Sequence, residues 1–317
     1  MLLQAAAEVL FTIADARITE SSGLAASRTA DAYYTVDDSG DDLRYSVLDG
    51  RGRTVTTVDF PGVDMRDVED LALGTEGSLY LADTGDNSAV RPRVLVHRVP
   101  EAGGALETAS LTYEDGAHDA EALLVHPRTG QTLVVTKTLL AASVYEAPLP
   151  LADGVLRRVG TFVPRSTGTE GGPVGAVGQR LVTGGAVSPD GRRLVLRTYT
   201  DAYVFEVPGD DLVAALAGDP QVLPLPATRQ GEAVTWTADG AALLTATEGP
   251  SSPVYRVAVP PAAAPPAPTV PPATPPATAV PAPLPDDRLT RTALLGLAAV
   301  LVAGVAATLA LLRRRRQ

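Results

Sequence analysis

From Asp67 to Glu248 the chain repeats one arrangement of polar and apolar positions: an acidic residue, a short apolar run, a turn centred on Gly, and a second apolar run. One copy runs from Glu69 to Leu73, turns at Gly77 and returns from Leu79 to Asp83; the next runs from Glu121 to Val125, turns at Gly130 and returns from Leu133 to Lys137. Two more run from Thr183 through Asp190-Gly191 to Arg197, and from Glu232 through Asp239-Gly240 to Thr247. Apolar runs of four to six residues on both sides of a Gly turn predict paired antiparallel strands. A fifth, weaker copy begins at Glu20 and continues to Asp37. Helical periodicity before the proline-rich region is confined to Asp210–Ala217.

Self-similarity at about fifty residues, built from short strand pairs, predicts an all-β chain folded as a β-propeller. Aligning Leu24, Leu71, Leu123, Val187 and Val234 gives spacings of 47, 52, 64 and 47. Five blades fit that ruler; a sixth could only be a degenerate blade drawn from residues 140–182 and the termini. A β-sandwich is the alternative architecture. Val9–Ile13 is a candidate strand to pair with the last blade and close the ring.

In a blade the first strand lines the tunnel and the second returns beside it, so the start of the first and the end of the second share one face. Starting positions are Glu20, Glu69, Glu121, Thr183 and Glu232; return positions are Asp37 or Asp38, Asp83, Lys137, Arg197 and Glu248. The Gly turns then lie on the opposite face with a structural role. Carboxylates crowded at one mouth repel each other unless some are protonated or a cation sits among them. The chain has no cysteine and three histidines, so oxygen ligands dominate and calcium or magnesium is expected over zinc, with calcium preferred. The expected metal ligands are Glu20, Glu69, Glu121 and Glu232. Loops Asp37–Asp42 and Asp83–Asn87 add Asp38, Asp83, Asp86 and Asn87 as ligand contacts. Lys137 and Arg197, with Arg66 and His118, would hold a phosphate or carboxylate, and Glu248 completes the rim. His118-Asp119 with Glu121 could supply a general base, but no residue is assigned a catalytic role. The alternative is that the glutamates bond backbone amides of the next blade and that Lys137 and Arg197 pair with neighbouring acids.

The two ends bear on location. Residues 292–312 form an apolar and small-residue run about 31 Å long as a helix, which matches a bilayer core. Arg313 to Arg316 follow, so the positive-inside bias places residues 313–317 in the cytoplasm and the propeller (18–258) outside. Between Pro260 and Pro285, 12 of 26 residues are proline and none is charged; the segment 259–287 is expected to be a stalk of up to roughly 80 Å in polyproline II form. Residues 1–17 are either the closing strand or a shortened export signal. Without the six arginines and two aspartates beyond residue 285, the chain has 20 basic and 35 acidic residues, a net charge of −15. That balance excludes nucleic acid as a partner and suits cations.

The phrases Glu-Ser-Ser-Gly-Leu (20–24), Asp-Val-Glu-Asp-Leu-Ala (67–72), Asp-Ala-Glu-Ala-Leu (119–123) and Gln-Gly-Glu-Ala-Val (230–234) resemble repeated signatures of extracytoplasmic propellers, the phytase-like (esterase-like) family and periplasmic calcium-binding propellers. Asp70 and Ala122 stand where the signature has Gly. The Asp-Thr-Gly-Asp-Asn loop (83–87), Ser-Pro-Asp-Gly (188–191) and Arg-Thr-Tyr (197–199) resemble membrane-anchored propellers of high-GC actinobacteria. The resemblance implies calcium near the glutamates. The expectation is therefore a membrane-anchored extracellular propeller that binds a divalent cation and a small-molecule or cell-wall ligand at one mouth. Its alternatives are a calcium-assisted hydrolase of a phosphate ester, carboxylic ester or lactone, and a non-catalytic interaction or sensor module.

Overall fold

The computed structural model describes residues 7–40 and 42–261; the span 292–312, the tail 313–317 and nearly all of the stalk lie outside them. Among the described residues no helix is long and apolar enough to cross a membrane. Strand β1 (Ala7–Thr12) opens the chain. Four antiparallel strands follow, β2 (Ser21–Ala26), β3 (Ala32–Asp37), β4 (Asp42–Asp49) and β5 (Thr54–Asp64). The next set is β6 (Val68–Leu73), β7 (Ser78–Asp83), β8 (Val94–Pro100) and β9 (Glu107–Tyr113). After it come β10 (Ala120–Val125), β11 (Thr132–Thr136), β12 (Ala142–Glu146) and β13 (Gly154–Phe162). These two sets merge into one eight-stranded sheet because β13 pairs in parallel with β9. Then come β14 (Val182–Val187), β15 (Arg193–Thr198), β16 (Asp201–Glu206) and β17 (Gln221–Pro224), and finally β18 (Gly231–Trp236), β19 (Ala242–Thr247) and β20 (Pro253–Ala258). Strand β1 pairs antiparallel with β20, so the first described strand completes the last sheet.

The architecture is all-β and propeller-like. Strands β2, β6, β10, β14 and β18 pack on one another in sequence, and β18 packs back on β2 to close a ring. Each is buried along almost its whole length, which is why these segments read as apolar runs instead of alternating. The core is divided into wedges between neighbouring sheets: Leu124, Leu133 and Val135 meet Leu194, Leu196 and Phe205 in one, and Leu24 and Leu48 meet Phe11, Leu244 and Val254 in another. The turns on the far face need left-handed backbone, supplied for example at Gly130 (φ +74°) and Gly191 (φ +71°). The helical segment is shorter than its periodicity suggests: α1 spans Leu212–Leu216, with the Asp211 side chain accepting from the amides of Val213 and Ala214. Because Ala258 lies opposite Ala242 and Ala7 opposite Val257, both described ends leave on the turn face.

The structure moves one position of the repeat. Gly185, two residues past its strand's register break, is equivalent to Leu24, Leu71, Leu123 and Val234. Val187 instead ends its strand, opposite Leu194. The offset arises because Gly184-Gly185 interrupts the apolar run that the sequence alignment followed.

Candidate functional site

Every strand of the inner ring breaks register near its start. The breaks fall between Ser21 and Gly23, Val68 and Asp70, Ala120 and Ala122, Val182 and Gly184, and Gly231 and Val234. The displaced residues are Ser22, Glu69, Glu121, Thr183, and Glu232 with Ala233. A bulge re-aims its extra side chain. Where that residue is a hydroxyl it bonds to the next inner strand: Ser22 Oγ donates to the Val68 carbonyl at 2.7 Å, and Thr183 Oγ1 to that of Gly231 at 3.0 Å. Where it is glutamate it is buried near the tunnel mouth instead.

Glu69, Asp119 and Glu121 each place a carboxylate oxygen within 4.8 Å of the others. Glu121 is 2% exposed. One of its oxygens, Oε1, contacts the Lys137 ammonium, while Oε2 is buried with no hydrogen-bond partner among the described residues. Glu232 is close enough for its charge to act on Glu69 and to feel Glu121. Burial, reinforced by repulsion from Glu121, Asp67 and Glu232, raises the Glu69 carboxyl well above its usual range. Burial, with repulsion from Glu121 and Glu248, does the same to Glu232. Burial pushes Glu121 up to about 8 against the pull of Lys137. Burial would lower the Lys137 ammonium, but the Glu121 charge and hydrogen bond together with those of Tyr199 outweigh it and the net shift is upward. These directions follow from desolvating several like charges around one cation.

Glu20 belongs to a different level from these glutamates. The amides of Asp38, Gly85, Lys137 and Glu248 donate to the carbonyls of Glu20, Asp67, Asp119 and Gln230, which therefore form one tier two residues before the bulge. Ser39 Oγ donates to Glu20 at 2.6 Å, and that hydroxyl and Asp38 lower its carboxyl. Burial and the adjacent Glu20 carboxyl push Asp38 up to about 7. The acidic site thus has two tiers, Glu20, Asp67 and Asp119 in the outer and Glu69, Glu121 and Glu232 in the inner. The sequence carries the outer tier two residues before each bulge, as Glu20 before Ser22, Asp67 before Glu69 and Asp119 before Glu121, with Gln230 before Glu232; reading the repeat by its apolar runs passes over that spacing.

The return strands are offset too, by one residue at Asp83 and by two at Arg197. Strands β3, β7, β11, β15 and β19 close their pairing at Asp37, Asp83, Thr136, Thr198 and Thr247, so the next residues are Asp38, Thr84, Lys137, Tyr199 and Glu248. Tyr199, not Arg197, shares the level of Lys137, whose ammonium stands 5.3 Å from the Tyr199 ring centroid. Arg197 is 1% exposed and donates to the carbonyls of Ala233 at 2.5 Å and Ala246 at 2.8 Å. A Cβ on Gly231 would fall 1.9 Å from its Nη2, so that glycine makes room for it.

The remaining candidates are dispersed. Asp83 is fully buried, pairs with Arg91 at 2.7 Å and accepts from the amides of Arg66 and Asp67. The Asp86 amide donates to Asp119 Oδ1 at 2.8 Å, which steadies the outer tier. Arg66 is exposed and pairs with Asp64 at 3.1 Å, and Asn87 is exposed. His118 lies 2.9 Å from Asp115 Oδ1 and 2.8 Å from the Tyr145 hydroxyl, so its ring is engaged beside the cluster. Glu248 accepts from the Gln230 side chain.

Below the glutamates, Asp70 occupies a place sequence reasoning did not assign. Its carboxylate is fully buried and accepts amide hydrogens from three inner strands: Leu71 and Leu123 at 2.8 Å and Gly185 at 3.1 Å. Burial raises its carboxyl well above the usual range, although all three amides oppose the shift.

No family model and no curated protein matches the chain. Similar solved structures include a Xanthomonas campestris gluconolactonase (16% identity, TM-score 0.45, 81% of this chain and 90% of that one) and a luciferin-regenerating enzyme (12%, 0.49, 80% and 95%). A chain of a nidogen–laminin complex is also similar (14%, 0.44, 73% of each). The propeller-like architecture stands on this chain's own strand topology.

Proposed function

We propose that this chain is a five-bladed propeller that binds one divalent cation, and with it an anionic ligand, at the acidic mouth. The ring of five inner strands supports the blade number. The observation that carries the cation is the buried, unpartnered Glu121 Oε2 within the group formed by Glu69, Asp119 and Glu121. Calcium–oxygen distances are about 2.3–2.6 Å, so oxygens bound to one ion lie no more than about 5 Å apart, and this group falls within that limit. The donors are hard oxygens, and of the three histidines His97 and His126 are buried elsewhere while His118 bonds Asp115 and Tyr145. That set favours calcium over zinc. Glu69, Asp119 and Glu121 would hold the ion, with Glu232 neutralising it from the side; the ion would supply Lewis acidity toward a phosphate, ester or lactone oxygen. Turnover of such a ligand is the hydrolase reading, and a non-catalytic binding module is the other. The membrane anchor rests on the sequence of 292–312 and the arginines after it.

The test is the metal content of the full chain purified without chelator, with melting followed in calcium and in chelator. About one calcium per chain and a clear stabilisation, both lost in Glu69→Gln, are expected; no metal and no shift would overturn the reading. Chromogenic phosphate, acetate and lactone substrates, each with and without calcium, then separate hydrolase from binding module.

A further inference from the structure

The chain has 26 basic side chains, of which 25 are arginine and one is lysine, Lys137. That lysine is the cation placed against Glu121, with its side chain 16% exposed and that of Glu121 3%. It stands where the equivalent return positions offer Asp38, Thr84, Tyr199 and Glu248. Arginine and lysine are not interchangeable here. A guanidinium is a broad planar fork, whereas an ammonium is a compact point charge that fits among carboxylates as a monovalent ion would.

We propose that the Lys137 ammonium is a built-in, displaceable counter-ion that stands in for the divalent cation, and that cation binding expels it from Glu121 toward the Tyr199 side of the mouth. This rests on the cation reading of the mouth. A divalent ion bound by Glu69, Asp119 and Glu121 needs Glu121, and Lys137 already contacts one of its oxygens. Two cations on one carboxylate repel, so the ion and the ammonium compete. The released ammonium keeps its tether and its charge, and becomes the natural partner for an anionic group on a ligand bridging the metal. The Tyr199 ring, 5.3 Å from Nζ, offers a face on which the displaced ammonium can rest. The mouth therefore has two exclusive states: Lys137 on Glu121 with no metal, and metal on Glu121 with Lys137 free.

Calcium titration calorimetry on the full chain tests this with wild type, Lys137→Gln and Lys137→Arg. Loss of the competing charge is expected to tighten calcium binding at least about tenfold in Lys137→Gln, while Lys137→Arg, which keeps the charge, stays within about threefold of wild type. Equal or weaker binding in Lys137→Gln, with wild type binding, would overturn the inference and leave the cation reading intact. Tightening in both variants would also overturn it, because shape and not charge would then be at work. If neither wild type nor Lys137→Gln binds calcium, the cation reading itself fails. Should Lys137→Gln not fold, the wild type still decides. As the chain's sole lysine, Lys137 is the single side-chain amine for acetylation, and saturating calcium is expected to raise its labelling rate at least about fivefold, as Glu121→Gln should without calcium. Labelling unchanged by bound calcium would overturn the displacement.

Discussion

The two faces of the ring are built from the same strands and differ in what their polar groups have to do. On the turn face Asp190 and Asp239 have local partners: Asp190 accepts from Ser188 at 2.6 Å and from the Arg192 amide at 3.0 Å, and Asp239 accepts from Thr237 at 2.6 Å and the Ala241 amide at 3.0 Å. Both carboxyls sit below their usual range, the hydrogen bonds and nearby arginine charges together outweighing burial. On the mouth face Glu69, Glu121 and Glu232 are buried together, and their carboxyls are raised. Acids satisfied within a turn stabilise the fold; acids gathered from separate sheets oppose it until something neutralises them. That contrast is the reason the proposed cation site is placed at the mouth.

The largest expected effect tests whether the mouth has a rigid floor. Asp70→Ala removes the acceptor for three buried amides and should lower unfolding free energy by about 3 kcal/mol or more. Urea denaturation measures it; a loss under about 1 kcal/mol would mean the three strands hold together without Asp70.

The next effect concerns pH. Carboxyls raised in the fold bind protons that the unfolded chain has released, so their stabilising contribution is fully present below the usual carboxylate value and is lost as pH rises through the folded values. For Asp38 and Glu121 those values are about 7 and about 8. Metal-free protein should therefore be less stable at pH 8.5 than at pH 5, by about 1–3 kcal/mol. Calcium should reduce that loss. Stability that rises steadily across the window in chelator would break the contrast between the faces. Turn-face Asp190 and Asp239, lowered in the fold, act in the opposite sense and only in more acidic solution.

The smallest effect sharpens the comparison from the other side. Gly130→Ala places a side chain at φ +74° with its nearest neighbours 3.6 Å away, so strain and not collision sets the cost. A loss of about 1 kcal/mol is expected, with calcium affinity unchanged; altered affinity would mean that the faces are coupled through the strands.

The fold was legible in the sequence where chemistry and periodicity coincide. Inner strands buried on both sides had to be short apolar runs, and their turns had to contain Gly, so the all-β, propeller-like class followed from the repeat. The site was legible only to within a residue or two. The bulge position of the first inner strand is Ser22, which carries no charge, so the nearest acid, Glu20, aligned with Glu69 although it shares the level of Asp67. Aligning Val187 where the structure has Gly185 moved the return strand by two residues as well, and placed Arg197 at the mouth where the structure has Tyr199. Asp70 was visible only as a departure from Gly, because its three amide donors come from strands that are remote in sequence.

The central claim is that the group of Glu69, Asp119 and Glu121, and not the acidic loops Asp37–Asp42 and Asp83–Asn87, holds the cation. Crystals of the full chain grown with manganese would test it most directly through their anomalous difference map. The account predicts one strong peak bounded by Glu69, Asp119 and Glu121. A peak at Asp37–Asp42 or Asp83–Asn87 instead, or none at saturating manganese, would contradict it.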